Sequence, residues 1–358
     1  MSAQRLLTLV AAAVVVAVLA VWVSERSRPE RPAPGGRPVV LEALSESLDS
    51  VNEVRLARGD GVATTLQRRD NGWFVAQRNY PADPGKLRSL LISLSGLHTI
   101  EQKTSDPARY ATLNVEDATG AQSHSMRIDV VAGARTWSLL VGKPAEPNGS
   151  FVRIPGTAGA LSVEPRIDAD PQPARWILPG LLDVADDRIE RVSVRPAGSP
   201  AYRLTRDKRG GADLTLNDVP PGRKSASAGV ADAAARVLAR LNVEDVKERS
   251  PGPLQHASQA SYRTFEGLQV DLDGYREGTN AWIRVHASVD PHVKATKQAT
   301  APEVKAPDPA TEAAAINART QAFDFQIPVY QYDQIFRPVQ DLLAPLPQPA
   351  TAGSQEHK

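Results

Sequence analysis

Residues Leu6 to Val23 run for 18 positions without a charge, LLTLVAAAVVVAVLAVWV. As a helix rising ~1.5 Å per residue, this run is ~27 Å long, close to the ~30 Å hydrocarbon core of a bilayer. Trp22 falls at the far end, where an amphipathic ring suits the lipid–water boundary, and Arg5 marks the near end. The expectation is an N-terminal transmembrane anchor over residues 1–24. A cleaved signal peptide is the competing reading, with Val18-Leu19-Ala20 as a processing site, but the apolar run continues past Ala20 to spanning length. Arg26, Arg28, Arg31 and Arg37 follow the span and favour the cytoplasm by the positive-inside rule. Large downstream domains translocate largely regardless of such charges, so an exported body is expected. Residues 25–38, ERSRPERPAPGGRP, read as a Pro/Arg-rich linker with a reach of up to ~40 Å.

The remaining chain is long enough for about two domains. Its 42 lysines and arginines nearly balance 41 aspartates and glutamates, which argues against the cationic face of a nucleic-acid binder. The absence of cysteine excludes disulfides, thiolate zinc sites, iron–sulfur clusters, a cysteine nucleophile and a lipoprotein anchor.

The pattern of the soluble part predicts a repeat with an offset of about 140 residues. In the first half, Val51-Asn-Glu-Val54-Arg-Leu56 alternates as a strand, Thr65 to Arg68 follows, and Asp70-Asn71-Gly72 turns into Trp73-Phe74-Val75. Asp83 and Pro84 suit the cap and first position of a helix whose apolar face is Leu87, Leu90, Leu91, Leu94 and Leu97. Strands are expected at Ser125–Val131 and Thr136–Val141. The second half replays this with Ile189–Val194, Ala201–Arg206, Ala212–Leu216, a helix through Val230, Ala234, Val237, Leu238 and Leu241, and strands Gly267–Leu272 and Ala281–His286. Val54 aligns with Val192, Leu66 with Leu204, Asp129 with Asp271 and Trp137 with Trp282. The predicted fold class is α+β: two tandem, similar antiparallel-sheet-plus-helix units over 39–165 and 166–344. Two unrelated α+β halves are the alternative. A mobile insertion is expected near 290–311, then a short helix Glu312–Arg319, a strand Phe323–Tyr330, a closing helix Tyr332–Leu343, and a disordered tail over 345–358.

No catalytic motif emerges. His98, His124, His256, His286, His292 and His357 form no metal-binding helical pair, and Asp271-Leu-Asp273-Gly274 lacks the further oxygen ligands of a calcium loop. Asp186-Asp187 and Glu244-Asp245 are adjacent carboxylates that diverge in either a strand or a helix, and are expected to be solvated. Trp73, Trp137 and Trp282, which lie in expected strands, are candidate binding residues for a glycan or peptide, although aromatic residues in strands more often pack in a core; Trp176 is the body's fourth indole. An envelope hydrolase would need convergent carboxylates or a Ser–His pair that only the fold could assemble.

The order Gly72-Trp73, Tyr80-Pro81-Ala82-Asp83, a Leu-rich helix, Glu101 to Leu113, Val141-Gly142-Lys143, Phe325-Gln-Ile-Pro-Val-Tyr330 and Asp341-Leu-Leu resembles a bacterial family carrying a domain of unknown function, the DUF4340 type. The resemblance covers most of residues 40–345, carries no catalytic residue, and does not account for the insertion near 290–311. Members of that family are commonly encoded beside gliding-motility-type (Gld-like) ABC transporter subunits. The resemblance therefore implies a non-enzymatic accessory or scaffold protein of a cell-envelope ABC transport complex, without cofactors. Its partners would be transporter membrane subunits, and membrane lipid through the anchor. Its place would be the bacterial inner membrane, single-pass, with the body in the periplasm. A tethered envelope glycan- or peptide-binding module is the alternative.

Overall fold

The structure, a computed structural model, describes residues 38–210, 213–217, 219–226, 229–291 and 307–345. The expected anchor, the linker apart from Pro38, residues 292–306 of the expected insertion and the tail beyond Pro345 lie outside the described residues. Among the described residues no helix is long and apolar enough to cross a membrane.

The first half folds into a nine-stranded sheet. Its strands are β1 (Val51–Arg58), β2 (Ala63–Arg69), β3 (Gly72–Val75), β4 (Tyr80–Pro81), β5 (His98–Thr104), β6 (Met126–Ala132), β7 (Arg135–Ala145), β8 (Gly149–Arg153) and β9 (Ala160–Glu164), in the order β4-β3-β2-β1-β6-β7-β8-β9-β5. Every pairing within it is antiparallel. Alternation drives the strands: β1 buries Val51, Val54 and Leu56, and a bulge between Val51 and Glu53 shifts the register against β6. Gly72, at φ 133°, turns β2 into β3.

Helix α1 (Pro84–Ser95) starts where Asp83 accepts hydrogen bonds from the Gly85 and Lys86 amides at 2.9 and 3.1 Å. These satisfy two first-turn donors, and Pro84 sits where no donor is needed. Leu87, Leu90 and Leu94 form the buried face.

After the crossing strand β10 (Gly180–Leu182), the second half builds its own sheet. This comprises β11 (Ile189–Arg195), β12 (Tyr202–Thr205) and β13 (Thr215–Leu216), then helix α2 (Gly229–Arg236), which tightens into a 3-10 turn at Val237–Arg240. There follow β14 (Leu241–Asn242), β15 (Asp245–Glu248), β16 (Ser258–Thr264), β17 (Leu268–Glu277), β18 (Asn280–Val289), helix α3 (Pro309–Thr320), β19 (Phe323–Ile327) and helix α4 (Val329–Ile335). The eight-stranded sheet runs β13-β12-β11-β16-β17-β18-β19-β15.

Both halves bury side chains in one continuous core. The joint is a ribbon. Ala82 bridges Ile177, flanked by Asp83 N donating to Trp176 O and Leu178 N to Pro81 O, both at 2.8 Å. β10 then pairs with β14. Tyr80 stands edge-on to Phe323 and Phe325 at 5.3 and 5.8 Å. Arg78 grips Asp245 with two bonds of 2.6 and 2.9 Å. Asp245 is therefore part of the joint and not the solvated carboxylate expected.

Several expectations need correction. The structure adds strands that the residue pattern does not mark, β5, β8, β9 and β16 among them, and β16 upsets the expected alignment of the two halves. Asp129 lies on β6, beside β1, whereas β16 holds the place beside β11 and Asp271 sits one strand further, on β17. Trp137 on β7 and Trp282 on β18 are displaced in the same way. The strand expected to reach Tyr330 ends at Ile327, because Pro328 has no amide for a ladder and instead precedes α4. The closing helix is interrupted: α4 stops at Ile335, and only a 3-10 turn, Val339–Leu342, follows Pro338. The third strand of the second half shrinks to Thr215–Leu216.

Candidate functional site

The structure separates the three candidate tryptophans. Trp137 is buried, and its indole N–H donates to Glu42 O at 2.9 Å. Trp282 is buried under the Lys247 ammonium, 4.1 Å from its ring, with no hydrogen-bond partner for the indole nitrogen. Trp73 alone is half-buried, and its ring lines an open groove. The three do not share one surface stripe. Trp176 is fully enclosed, donating to Asp170 O at 2.6 Å.

The groove of Trp73 measures about 720 Å³. Its floor combines Trp73 with Leu48 from the turn before β1, and Leu91 and Ile92 from α1 form one wall. Ile92 is 57% exposed and Leu91 half-buried, while Leu87, Leu90 and Leu94 of the same helix are buried. Three charged residues complete the lining: Arg68 on β2, which donates to Asp49 O at 2.7 Å, Asp49 itself, and Arg88 on α1.

A second recess of about 710 Å³ lies on the outer face of the second sheet. Register places Arg203, Ser193, Ser261, Asp271 and His286 in one row across β12, β11, β16, β17 and β18. The row holds a serine, a carboxylate and a histidine, but in an order unsuited to nucleophilic catalysis. Asp271 stands between the other two, so Ser261 and His286 are two strand spacings apart, ~10 Å. A base must lie within hydrogen-bond reach of the hydroxyl it activates. Asp271 instead accepts from Gln269 Nε2 at 3.0 and 3.1 Å, and Asp273 from Gln259 at 3.1 Å. Asp273 and Gly274 lie within β17, so the calcium-loop resemblance ends in a strand. Among the described residues no group of three potential metal ligands converges. His292 and His357 lie outside the described residues.

The most buried ionic cluster is structural in its geometry. Asp324 is fully enclosed on β19, with Arg284 donating to its two oxygens at 2.8 and 3.1 Å, and Tyr275 Oη donating at 2.8 Å. Arg249 approaches at 3.8 Å. Burial first, and then the hydrogen bond to Asp324, push the Tyr275 phenol well above its ordinary range, while burial lowers Arg249. Arg284 also donates to Ser250 O and Gly252 O, fastening that segment to the sheet. No sequence motif announced this cluster, since Arg284, Asp324 and Arg249 are far apart in the chain.

No curated protein and no solved structure matches the chain. The family model described as "Domain of unknown function (DUF4340)" matches residues 73–263, more than half of the chain, from β3 of the first sheet into β16 of the second. The match thus spans both sheets and the ribbon between them, and the chain belongs to the DUF4340 family.

Proposed function

We propose that this protein is a membrane-anchored, non-catalytic accessory or scaffold protein of a cell-envelope ABC transport complex. Leu6–Val23 would span the bacterial inner membrane once, with the body in the periplasm. The observation that carries the reading is the disposition of the polar side chains. In the recess on the second sheet they are arrayed in a row along the sheet face, and elsewhere many are consumed in ties between elements. Arg263, for example, holds Glu190 and Asp290, and Arg188 holds Glu312 and Glu266. Such ties stiffen a body that presents broad surfaces to partners.

The body is further read as a tandem repeat of one unit. Eight strands follow the same order in both sheets, and the bulge between Val51 and Glu53 recurs between Ile189 and Arg191. Val54 lies between Leu66 and Val130 as Val192 lies between Leu204 and Tyr262. The Ala82–Ile177 bridge has its counterpart in Ser225–Leu343, flanked by Ala226 N donating to Leu342 O and Ala344 N to Lys224 O.

Co-purification of the full-length protein from gently solubilised membranes tests the function. The reading expects an ABC permease or ATPase to be retained at stoichiometric yield; recovery of the protein alone, under conditions that keep other membrane complexes intact, contradicts it. Of the three candidate tryptophans, a tethered glycan- or peptide-binding module keeps only Trp73 accessible, a single contact and not an aromatic platform.

A further inference from the structure

We propose that the groove between α1 and the β2–β3 hairpin is a binding site for a single-chain anionic amphiphile of the fatty-acid type, with its acid group between Arg68 and Arg88 and its hydrocarbon along Trp73, Leu48, Leu91 and Ile92. The site is independent of the transport role, and its assignment rests on the reading of the body as a tandem repeat.

The second half shows the same location closed. Arg206, one residue past β12, matches Arg68 on β2, and each donates through Nη1 to a carbonyl of the 3-10 turn before the first strand: Arg206 to Asp186 O, Arg68 to Asp49 O. On the helices, Leu87, Leu90 and Leu94 match the buried Ala231, Ala234 and Leu238, which sets Arg88 against Asp232. In the second half Asp232 is buried, takes Arg206 Nη2 at 3.2 Å and receives Leu214 N at 2.8 Å. Small alanines let α2 seat that carboxylate on the sheet. In the first half, leucines replace the alanines and an arginine replaces the carboxylate. Two cations then border the opening against a single carboxylate, Asp49, whose backbone oxygen and not its carboxylate takes Arg68.

The resulting groove has the size of a small-molecule site, a largely apolar lining and a few charged groups at its rim. Two guanidinium groups over an apolar floor complement one oxyanion with an apolar tail, because charge-assisted hydrogen bonds fix the head and burial of methylenes holds the chain. The carboxylate that the second half supplies from Asp232 would come, in the first, from the ligand.

The test uses the full-length protein in phosphatidylcholine nanodiscs, labelled with 5-fluorotryptophan, with Trp73→Phe assigning the Trp73 fluorine resonance. The probes are dodecanoate, dodecyltrimethylammonium and acetate. Dodecanoate is expected to shift the Trp73 resonance saturably while Trp137, Trp176 and Trp282 stay in place; the other two probes leave Trp73 unmoved. Arg88→Asp recreates the charge pair of the second half and is expected to weaken dodecanoate by roughly tenfold or more, about the loss of one charge-assisted contact. The three buried indoles report that this variant remains folded, and Arg68→Gln supplies an independent second variant. An equal response to the cationic amphiphile, or undiminished dodecanoate binding in both variants, overturns the proposal. So does tighter competition by an acetylated Leu-Asp-Leu-Asp-Leu peptide, which would make the groove a peptide site. A Trp73 shift on raising protein concentration alone would likewise overturn it, by showing that a second copy covers the groove.

Discussion

Replacing Asp324 by Asn should be among the most damaging single substitutions in the body. The carboxylate is fully enclosed and meets Arg284 twice, Tyr275 Oη once and Arg249 at 3.8 Å. Loss of its charge leaves the buried Arg284 without its counter-ion, a situation that costs ~3–5 kcal/mol in comparable pairs. At ~2–4 °C per kcal/mol for a domain of this size, the midpoint of thermal unfolding should fall by roughly 6–20 °C. Arg284→Met should cost less, because Asp324 keeps Arg249 and Tyr275, but it releases Ser250 O and Gly252 O. The double variant Asp324→Asn/Arg284→Met should be less destabilised than the two single effects added together, by at least ~1 kcal/mol. Urea unfolding followed by tryptophan fluorescence measures all three, and amide exchange over residues 249–257 reads the release of the strap. If Asp324→Asn costs under ~1 kcal/mol, or if the single effects add, the cluster is not the coupled unit described.

Further outcomes follow from local geometry. Asp83→Ala removes the side-chain cap of α1 and should cost ~0.5–2 kcal/mol in urea unfolding; no loss would mean that the cap is replaced by solvent. Gly274→Ala places a methyl group against Phe336 Cε2 and within 2.8 Å of Tyr332 Cε2, so ~1–3 kcal/mol should be lost; an unchanged midpoint would show that α4 yields freely. Burial opposes ionisation of Asp232, yet hydrogen bonds from Asp213 and Leu214 N and the charge of Arg206 hold its pKa below the ordinary carboxylate range. A depressed folded pKa stabilises the protein above the unfolded value of ~3.9, and that contribution is lost as pH falls through the folded value. Asp232→Asn should therefore cost more at pH 7 than at pH 3, and a cost that stays constant or grows in acid would contradict the assignment.

The sequence revealed strands whose inward residues are branched or aromatic. Val54, Leu56 and Leu66 declare β1 and β2 through alternation, and Asp83-Pro84 with its leucines declares α1. β16 was hidden because its buried positions are Ser258, Ala260, Tyr262 and Thr264, a mostly polar or small set that reads as a loop. β5 was hidden for the opposite reason. As an edge strand, it exposes Glu101, Gln102 and Lys103 and buries almost nothing. The residue pattern alone sets Trp137 against Trp282, whereas Trp137 lies on β7 and Trp282 on β18. The candidate site was legible only through Trp73. Its arginines come from a strand and a helix, and nothing in their spacing along the chain signals the groove. Asp324 and its partners were invisible, since pairing of residues 40 and 75 positions apart is a property of the fold.

The account rests most heavily on Leu6–Val23 crossing a bilayer with everything after it outside the cytoplasm. Alkaline phosphatase and a cytoplasm-dependent fluorescent protein, fused in turn to Lys358 of the full chain, read this directly. High phosphatase activity with a dark fluorescent fusion is the predicted pair of results. A bright fluorescent fusion with inactive phosphatase would put the body in the cytosol, and the envelope role would fall with it.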